Sequence, residues 1–385
     1  MLIGIPTRLA MVAVLAVSTG CEGRSALRLF PDGGPANTTR DAGTMVSAAQ
    51  CPAGTVPRVV ELDTPVKLDL LFMIDNSRSM QEEQANLARN FPRLIDELKN
   101  LPTGFPDLHL GVVSSDLGAG SAIAACAKAL GDGAALQVRS GCGLDPKNGR
   151  YLISRDGGSS NFDGDIADVF ACLAELGTSG CGYEHQLQSV RMALSGFVTD
   201  NAGFLRPDAH LAVVYITDED DCSAPADTTL FNENSPGQDS SLRCSLYGHV
   251  CDGAQVPASV FSTPLDHCGA SPNGGGKLIP VQTFVDEMKT LRTQSVTVSV
   301  IGGWPSDSTN ARYAVGYDLS SSDPDLLAEI PICSSANGKA AVGLRLKQFV
   351  DAFGPAGRIL SICQDDFSNA MAQIGQLINT TVECQ

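Results

Sequence analysis

The chain has 385 residues, 43% of them hydrophobic, which is enough for a well-buried core and excludes a disordered chain. Its formal net charge of −17, with no basic run, argues against nucleic acid as a partner, because such partners need clustered Lys and Arg. The acidic balance is better suited to cation binding.

The first twenty residues (1–20) have the features of an export signal. Arg8 is their only charged side chain, the apolar run Leu9–Val17 follows it, and small residues precede Cys21. This pattern resembles the lipobox of bacterial lipoproteins, although Ser18 stands where that motif usually has Leu. The resemblance implies that Cys21 is lipidated and that the lipid alone attaches the chain to a membrane. Ordinary cleavage that leaves Cys21 as a free or paired thiol is the alternative.

These features predict an exported protein of the bacterial cell envelope, either an outer-membrane lipoprotein or a periplasmic or secreted protein. The chain has thirteen cysteines, and assigning Cys21 to acylation leaves twelve, which could form up to six disulfides in an oxidising compartment. The spacing does not predict which cysteines pair.

Residues 21–60 are predicted to be a flexible linker, because Gly, Ala, Pro, Asp and Thr dominate there without an apolar period, as in Pro31–Pro35. Such a segment would hold a folded domain away from the envelope surface, or it is a spacer without a role of its own. The folded domain is expected over residues 61–385.

Strand and helix patterns alternate in this domain. The second half of Val66–Ile74 is too continuously apolar for a half-exposed strand, so the segment predicts a buried central strand. A helix follows over residues 80–98, where Ser79 and Glu82 match a capping box and Pro92 predicts a kink or an early break.

The later patterns continue the alternation and predict an α/β fold with a mostly parallel sheet. The predicted strands are Leu108–Val113, Leu211–Ile216, Val296–Ile301 and Ile359–Ile362. The predicted helices are Ile166–Leu176, Leu187–Phe197, Val281–Leu291, Leu344–Phe353 and Phe367–Ile378. Between residues 222 and 278 the periodicity stops and four cysteines occur, which predicts a disulfide-braced insertion.

Asp75, Ser77 and Ser79 carry the strongest functional signal. They lie where a buried strand passes into a helix, the edge at which open α/β sheets bind ligands, and their oxygens suit a hard cation such as Mg²⁺ or Ca²⁺. A helix start with an N-cap is the alternative reading. In this context the motif resembles the metal-ion-dependent adhesion site of the von Willebrand factor A (vWA) family, and the similarity covers about residues 66–380. The resemblance implies a Rossmann-like three-layer fold, with the Cys-rich insertion added to it.

Two later segments extend the resemblance. The loop that begins at Gly177 is similar to the family's Gly-Thr loop, so Thr178 is the expected next ligand, with Ser179 or Glu184 as alternatives. Asp218, directly after the strand ending at Ile216, matches the family's final site aspartate.

Further acids surround these positions. Glu219 and Asp116 are possible additional residues at the rim of the site, as is Glu184. Asp220 and Asp221 are expected to belong to a solvated acidic loop, since consecutive acids repel one another.

The family resemblance implies that the ion captures an Asp or Glu carboxylate from a protein or peptide partner, and the sequence predicts that the protein is not an enzyme. Motifs for a nucleophile, a P-loop or a zinc protease are missing. The alternatives are a metal-dependent hydrolase or phosphatase and a purely structural ion. A zinc site from His249, Cys251, His267 and Cys268 is disfavoured relative to disulfides, and Trp304 either lines the rim or packs in the core.

Overall fold

The computed structural model describes residues 51, 65–120, 126–155, 159–231, 238–261, 263–291, 295–305, 312–319 and 321–384, together with the backbone of two short strands before residue 62. The helices are α1 Gln81–Leu98, α2 Ile166–Ala174, α3 Gln186–Leu194, α4 Ser240–Gly248, α5 Val281–Thr290, α6 Leu344–Asp351 and α7 Ser368–Glu383. The strands are β1 Thr44–Val46, β2 Val59–Glu61, β3 Lys67–Ile74, β4 Asp107–Ser114, β5 Leu152–Ser154, β6 His210–Ile216, β7 His249–Cys251, β8 Ala254–Gln255, β9 Cys268–Ala270, β10 Val296–Gly302, β11 Val315–Tyr317, β12 Leu327–Glu329, β13 Cys333–Ser335, β14 Gly338–Ala340 and β15 Gly357–Ser361.

A central sheet of six strands, in the order β15-β10-β6-β3-β4-β5, forms the middle layer. Its first five strands run parallel, and only β5 is antiparallel to its neighbour β4. The mostly parallel α/β sheet predicted from the sequence is therefore confirmed.

Helices cover both faces of the sheet. Side chains in a strand alternate between these two faces, so neighbouring residues of one strand pack against different helices. Phe72 of β3 packs on one face with Phe91 of α1 and Phe170 of α2, and α7 joins the same layer. Met73, the next residue, packs on the other face with α3, α5 and α6. This places β3 in the middle of three layers and explains why its second half, Leu70–Ile74, is continuously apolar.

The predicted helix after β3 differs from expectation in two ways. Of the two alternatives expected at Pro92, the early break is wrong, because the helix continues to Leu98. The residue before it, Met80, makes no capping hydrogen bond through its side chain, so the expected capping box of Ser79 and Glu82 is wrong. The Ser79 hydroxyl instead lies 3.3 Å from the Ser77 hydroxyl.

Six disulfides join the twelve cysteines other than Cys21, which confirms the count expected from the sequence. The pairs are Cys51–Cys384, Cys126–Cys181, Cys142–Cys172, Cys222–Cys244, Cys251–Cys268 and Cys333–Cys363. Two of them lie within residues 222–278 and brace α4 and the three-stranded sheet β8-β7-β9. So many disulfides are typical of exported proteins.

The signal segment 1–20 and Cys21 lie outside the described residues. In the predicted linker 21–60, the described features are β1 with its antiparallel partner β2, which extends to Glu61, and Cys51, which is bonded to Cys384 beyond α7. In the part of the chain that the structure describes, no helix is long and apolar enough to cross a membrane.

Candidate metal site

Three loops meet at one edge of the sheet. Ile74 at the end of β3 pairs with Ile216 of β6 on one side and with Ser114 of β4 on the other. Because these strands are parallel, the residues that follow them emerge side by side. Asp75, Ser115 and Thr217 therefore become neighbours although they are far apart in the sequence.

Asp75 is fully buried and is held from several directions. Its Oδ2 accepts a hydrogen bond of 2.6 Å from Thr217 Oγ1, and its Oδ1 accepts one of 2.7 Å from the Ser77 amide. The Ser115 hydroxyl lies 3.4 Å from Oδ1. Burial raises the pKa of Asp75, and these hydrogen bonds partly offset that rise.

Asp218 lies close to the same group. It is buried, and the nearby Ser79 hydroxyl favours the charged form of its carboxyl group. Its Oδ1 has no hydrogen-bond partner. Burial raises the pKa of Asp218 well above its usual range, and the nearby charge of Asp75 raises it further. The structure thus brings together Asp75, Ser77, Ser79 and Asp218.

Glu184 and Glu219, the possible rim residues, form a second acidic pair beside the first. Their carboxyl groups lie close enough to shift each other's pKa, and each has one buried oxygen without a hydrogen-bond partner. Burial raises the pKa of both groups well above the usual range, and the charge of Asp75 adds to it.

The Gly-Thr loop lies against the turn that carries the Asp75 motif. The Gly180 amide donates to the Asn76 carbonyl at 2.8 Å, and a Cβ atom on Gly180 would lie only 2.3 Å from Asn76 Oδ1. Gln84 of α1 bonds to both the amide and the carbonyl of Gly177. Thr178 is half-buried in this loop, and its hydroxyl makes no hydrogen bond to the four residues of the group. Its role as a ligand stays a prediction.

Asp116, another possible rim residue, is buried. Its Oδ1 accepts a hydrogen bond from the Gly118 amide at 2.8 Å. Burial raises its pKa, and the charge of Asp132 adds to that rise. Asp132 in turn bonds to Ser114 and Asn76. Asp116 therefore belongs to a separate pair of acids next to the Asp75 turn.

Asp220 and Asp221 are not solvated, so that expectation is wrong. Both are buried, and each caps a helix from a distance. Asp220 accepts hydrogen bonds from the amides of Arg345 and Leu346 at the start of α6, at 2.7 and 3.1 Å, and from His249 at 2.6 Å. These donors replace water around the carboxylate, which explains why consecutive acids can be buried.

Asp221 caps the start of α3 in the same way. It accepts from the Leu187 amide at 2.9 Å and forms a buried ion pair of 2.8 Å with Arg345. The residue before α3, His185, makes no side-chain cap of its own. The acidic run after β6 therefore connects the site loop to two helices.

The contacts of the His and Cys residues in the insertion, and of Trp304, decide between the alternatives left open by the sequence. Cys251 and Cys268 form a disulfide, as preferred over zinc, while His249 bonds to Asp220 and His267 to Asp252. Trp304 packs in a separate apolar cluster beneath the insertion, with Val342 and Leu344 among its members.

Glu83 is a buried acid that was not singled out from the sequence. It lies in the first turn of α1 and is buried, and its charge contributes to the raised pKa of Asp218. A signal was present, because Met80, Glu83 and Leu87 follow helical spacing and the two apolar residues are core positions. An acid on the buried face of a helix is unfavourable unless a hydrogen bond or a positive charge compensates for its burial.

The residues fit a hard divalent cation. They offer carboxylate and hydroxyl oxygens, a buried Asp218 oxygen without a partner, and several acids whose charged forms burial destabilises. Among the described residues, no group of three or more His, Cys, Asp or Glu side chains is arranged to hold a metal by itself. A site here would therefore depend on the Ser77 and Ser79 hydroxyls.

No protein-family model matches the chain, and no curated protein matches it. Solved structures do show similarity. Proximal thread matrix protein 1 from the mussel byssus is 12% identical, with a TM-score of 0.35, over 83% of this chain and 49% of that one. The pilus adhesin SpaC from Lactobacillus rhamnosus GG is 10% identical, with a TM-score of 0.33, over 88% of this chain and 33% of that one.

The vWF domain of the type V pili tip protein Mfa5 from Porphyromonas gingivalis is 10% identical, with a TM-score of 0.34, over 83% of this chain and 97% of that domain. The chain spans less than half the length of the other two proteins. By name these proteins are a matrix protein, a pilus adhesin and a pili tip protein. Similarity at this level supports no conclusion about function, which has to come from the contacts of this chain.

Proposed function

We propose that this protein binds a hard divalent cation, Mg²⁺ or Ca²⁺, at the edge of the sheet where β3 and β6 end. Asp75, Ser77, Ser79 and Asp218 would hold the ion, and Thr178 would join them from the Gly-Thr loop. The observation that carries this proposal is the buried Asp218 Oδ1, which has no partner although acidic groups surround it. A cation would offset the cost of burying these charges together.

We propose further that the ion serves to capture an Asp or Glu carboxylate of a protein or peptide partner. A divalent ion held largely by neutral hydroxyls supplies strong attraction for such a carboxylate. Ser79 and its neighbour Arg78 are exposed, whereas Asp75 is fully buried. The chain therefore leaves one side of the group open to solvent, where a partner's side chain can approach.

Isothermal calorimetry with Mg²⁺ and with Ca²⁺ tests the cation site. We expect the Asp75→Asn and Ser77→Ala variants to bind at least about tenfold more weakly than the wild type. Ser195→Ala is the matched control, because that hydroxyl bonds only to the Met192 carbonyl and the Phe197 amide outside the site. Wild-type affinity in both site variants would refute the proposal.

A pull-down from the native cell envelope, with and without chelator, tests the capture of a partner. Chelator-sensitive capture that Ser77→Ala abolishes supports adhesion or interaction. If the cation only raises the melting temperature and no capture depends on it, the ion is structural. Metal-dependent turnover in a phosphatase and esterase screen, abolished by Asp218→Ala, would instead favour a hydrolase.

For location, we propose export and attachment to the envelope through a lipid on Cys21. The six disulfides support export, since they persist in oxidising compartments. Mass spectrometry of the mature N-terminus tests the attachment. An acylated Cys21 as the first residue is the expected result, and cleavage elsewhere without a lipid would exclude it.

A further inference from the structure

Gln84 is a buried polar side chain among the core positions at the start of α1. It is 3% exposed, and it follows the helical spacing of Met80, Leu87 and Phe91, which all lie in the core. A polar group at such a position is unfavourable unless hydrogen bonds replace the water that it loses. Gln84 is therefore expected to have specific partners in the interior of the protein.

The side-chain amide of Gln84 joins the turn at Asp75 and Asn76 to the Gly-Thr loop. Its Nε2 donates hydrogen bonds of 2.9 Å to the Asp75 carbonyl and to the Gly177 carbonyl. Its Oε1 accepts a hydrogen bond of 3.1 Å from the Gly177 amide. Both N–H groups and the carbonyl oxygen are thus used, and all three bonds go to the backbone of two segments that are distant in the sequence.

Thr178 and Ser179 lie between this contact and a second one. The Gly180 amide donates to the Asn76 carbonyl at 2.8 Å. A Cβ atom on Gly180 would lie only 2.3 Å from Asn76 Oδ1, so the loop and the turn are in close contact there. The Gly-Thr loop is therefore attached to the Asp75 turn on both sides of its two hydroxyl residues.

We propose that Gln84 is a positioning residue, which holds the Gly-Thr loop on the Asp75 turn and so places Thr178 for the cation. This inference rests on the proposed cation binding, in which Thr178 joins Asp75 as a ligand. A ligand that is already held in place loses less conformational freedom when the ion binds. Without the Gln84 amide, the Asp75 and Gly177 carbonyls lose their donor, and the start of the loop can move away from the turn. Cation affinity should then fall even in molecules that are folded.

Calorimetric titration of the full chain with Ca²⁺ and with Mg²⁺ tests this role. Gln84→Met keeps a long unbranched side chain and removes all three hydrogen bonds. Gln81→Met makes the same change at an exposed position in the first turn of α1 and is the matched control. We expect about a tenfold weaker affinity in Gln84→Met and wild-type affinity in Gln81→Met.

Hydrogen exchange in chelator measures the attachment of the loop without any cation. The Gly177 amide should exchange faster in Gln84→Met, because it loses its acceptor, whereas the Gly180 amide keeps its bond to the Asn76 carbonyl. Equal exchange of the Gly177 amide in the variant and the wild type would mean that Gln84 does not hold the loop.

Thermal unfolding in chelator shows whether Gln84→Met is folded. We expect that it is, because the Cys126–Cys181 disulfide still ties the end of the loop to the chain after β4. Gln84→Asn is a second, milder variant, since its side chain is one carbon shorter and cannot reach both segments, and it should show the same loss of affinity. A lower melting temperature with unchanged cation affinity in the folded variants would mean that Gln84 only stabilises the fold, and would overturn the inference.

A double-mutant cycle with Thr178→Val shows whether Gln84 acts through the loop. Thr178→Val removes the hydroxyl and keeps the shape of the side chain. If Gln84 positions Thr178, the double variant should bind cations no more weakly than the weaker single variant, since both changes remove the same ligand. If the two losses of affinity multiply, Gln84 acts independently of Thr178 and the inference is overturned.

Asp75→Asn separates the failure of this inference from the failure of the proposed function. Loss of cation binding in Asp75→Asn, together with wild-type affinity in folded Gln84→Met, would leave the proposed function intact and overturn the positioning role. Wild-type affinity in Asp75→Asn would refute the proposed function itself.

Discussion

Thr217 Oγ1 donates a hydrogen bond of 2.6 Å to Asp75 Oδ2 and thereby joins the ends of β6 and β3. The same hydroxyl accepts a hydrogen bond of 3.0 Å from Gln186 Nε2 at the start of α3. Thr217 therefore links the central acid of the site to a strand and to a helix. It is the first residue of the segment Thr217–Asp221, whose other four residues are acidic.

Replacing Thr217 with Val should destabilise the protein by about 1–3 kcal/mol, because the buried Asp75 carboxylate loses a donor while the shape of the side chain is kept. Cation affinity should fall as well, since Asp75 is then less firmly held. Urea denaturation in chelator measures the free energy of unfolding. Thr380→Val, which removes an exposed hydroxyl bonded to the Gln376 carbonyl, is the control. Equal stability of the two variants would contradict this role of Thr217.

Asp218 and Asp220 should respond to Asn substitution in opposite directions when no cation is present. Burial and neighbouring acids raise the pKa of the Asp218 carboxyl group well above its usual range, so its charged form is unfavourable. Asp218→Asn removes this charge, and stability should therefore stay the same or increase. Asp220→Asn disturbs a carboxylate bonded to His249 and to two amides of α6, and should cost about 2–4 kcal/mol.

Thermal or urea unfolding in chelator measures both effects. Adding Ca²⁺ or Mg²⁺ should then stabilise the wild type, and this gain should disappear in Asp218→Asn. If Asp218→Asn loses as much stability as Asp220→Asn without a cation, the charged form of Asp218 does not destabilise the folded protein and this prediction is wrong.

Glu329 predicts a pH dependence of stability. Burial raises its pKa from 4.5 to about 8, so between these values the folded chain holds a proton that the unfolded chain has released. This contribution to stability is fully present below about pH 4.5 and is lost as the pH rises towards 8. The slope is at most about 1.4 kcal/mol per pH unit.

The variant Glu329→Gln should lack this component of the slope and should exceed the wild type in stability at pH 8 more than at pH 5. Urea denaturation at several pH values checks it, with the exposed Glu82→Gln as control. Parallel pH profiles of the wild type and Glu329→Gln would show that the Glu329 carboxyl does not titrate in this way.

Periodicity predicted the central elements well, because they obey local rules. The apolar run of β3 and the helical spacing of α1 both follow from which side chains face the core. The sequence also indicated that Asp75, Ser77, Ser79 and Asp218 would meet, since parallel strands end at one edge of the sheet. The contacts that it could not predict join residues distant in the sequence.

Asp220 illustrates this limit. Its neighbours in the sequence are acidic, which argues for solvation, but its actual neighbours are the start of α6 and His249 of the insertion. Glu83 and Gly338 likewise approach each other only because the β13–β14 hairpin folds back onto α1. Disulfide pairing also joins residues distant in the sequence, since Cys51 and Cys384 are separated by 333 positions.

The ion pair between Arg345 and Asp221 gives a further prediction. Both side chains are buried, and Arg345 Nη2 also donates to the Ile279 carbonyl at 2.8 Å. Arg345→Met leaves the Asp221 charge buried with fewer partners and should cost about 3–5 kcal/mol. Asp221 also caps α3, so this helix should become less protected from hydrogen exchange.

The control is Arg358→Met, at an exposed arginine that bonds to Gln373, where a change within about 0.5 kcal/mol is expected. A double variant, Arg345→Met with Asp221→Asn, separates the ion pair from the packing of the arginine. Because the second substitution removes the charge left unpaired, the double variant should lose less than the sum of the two single changes. Strict additivity would mean that Arg345 stabilises the fold through packing and not through Asp221.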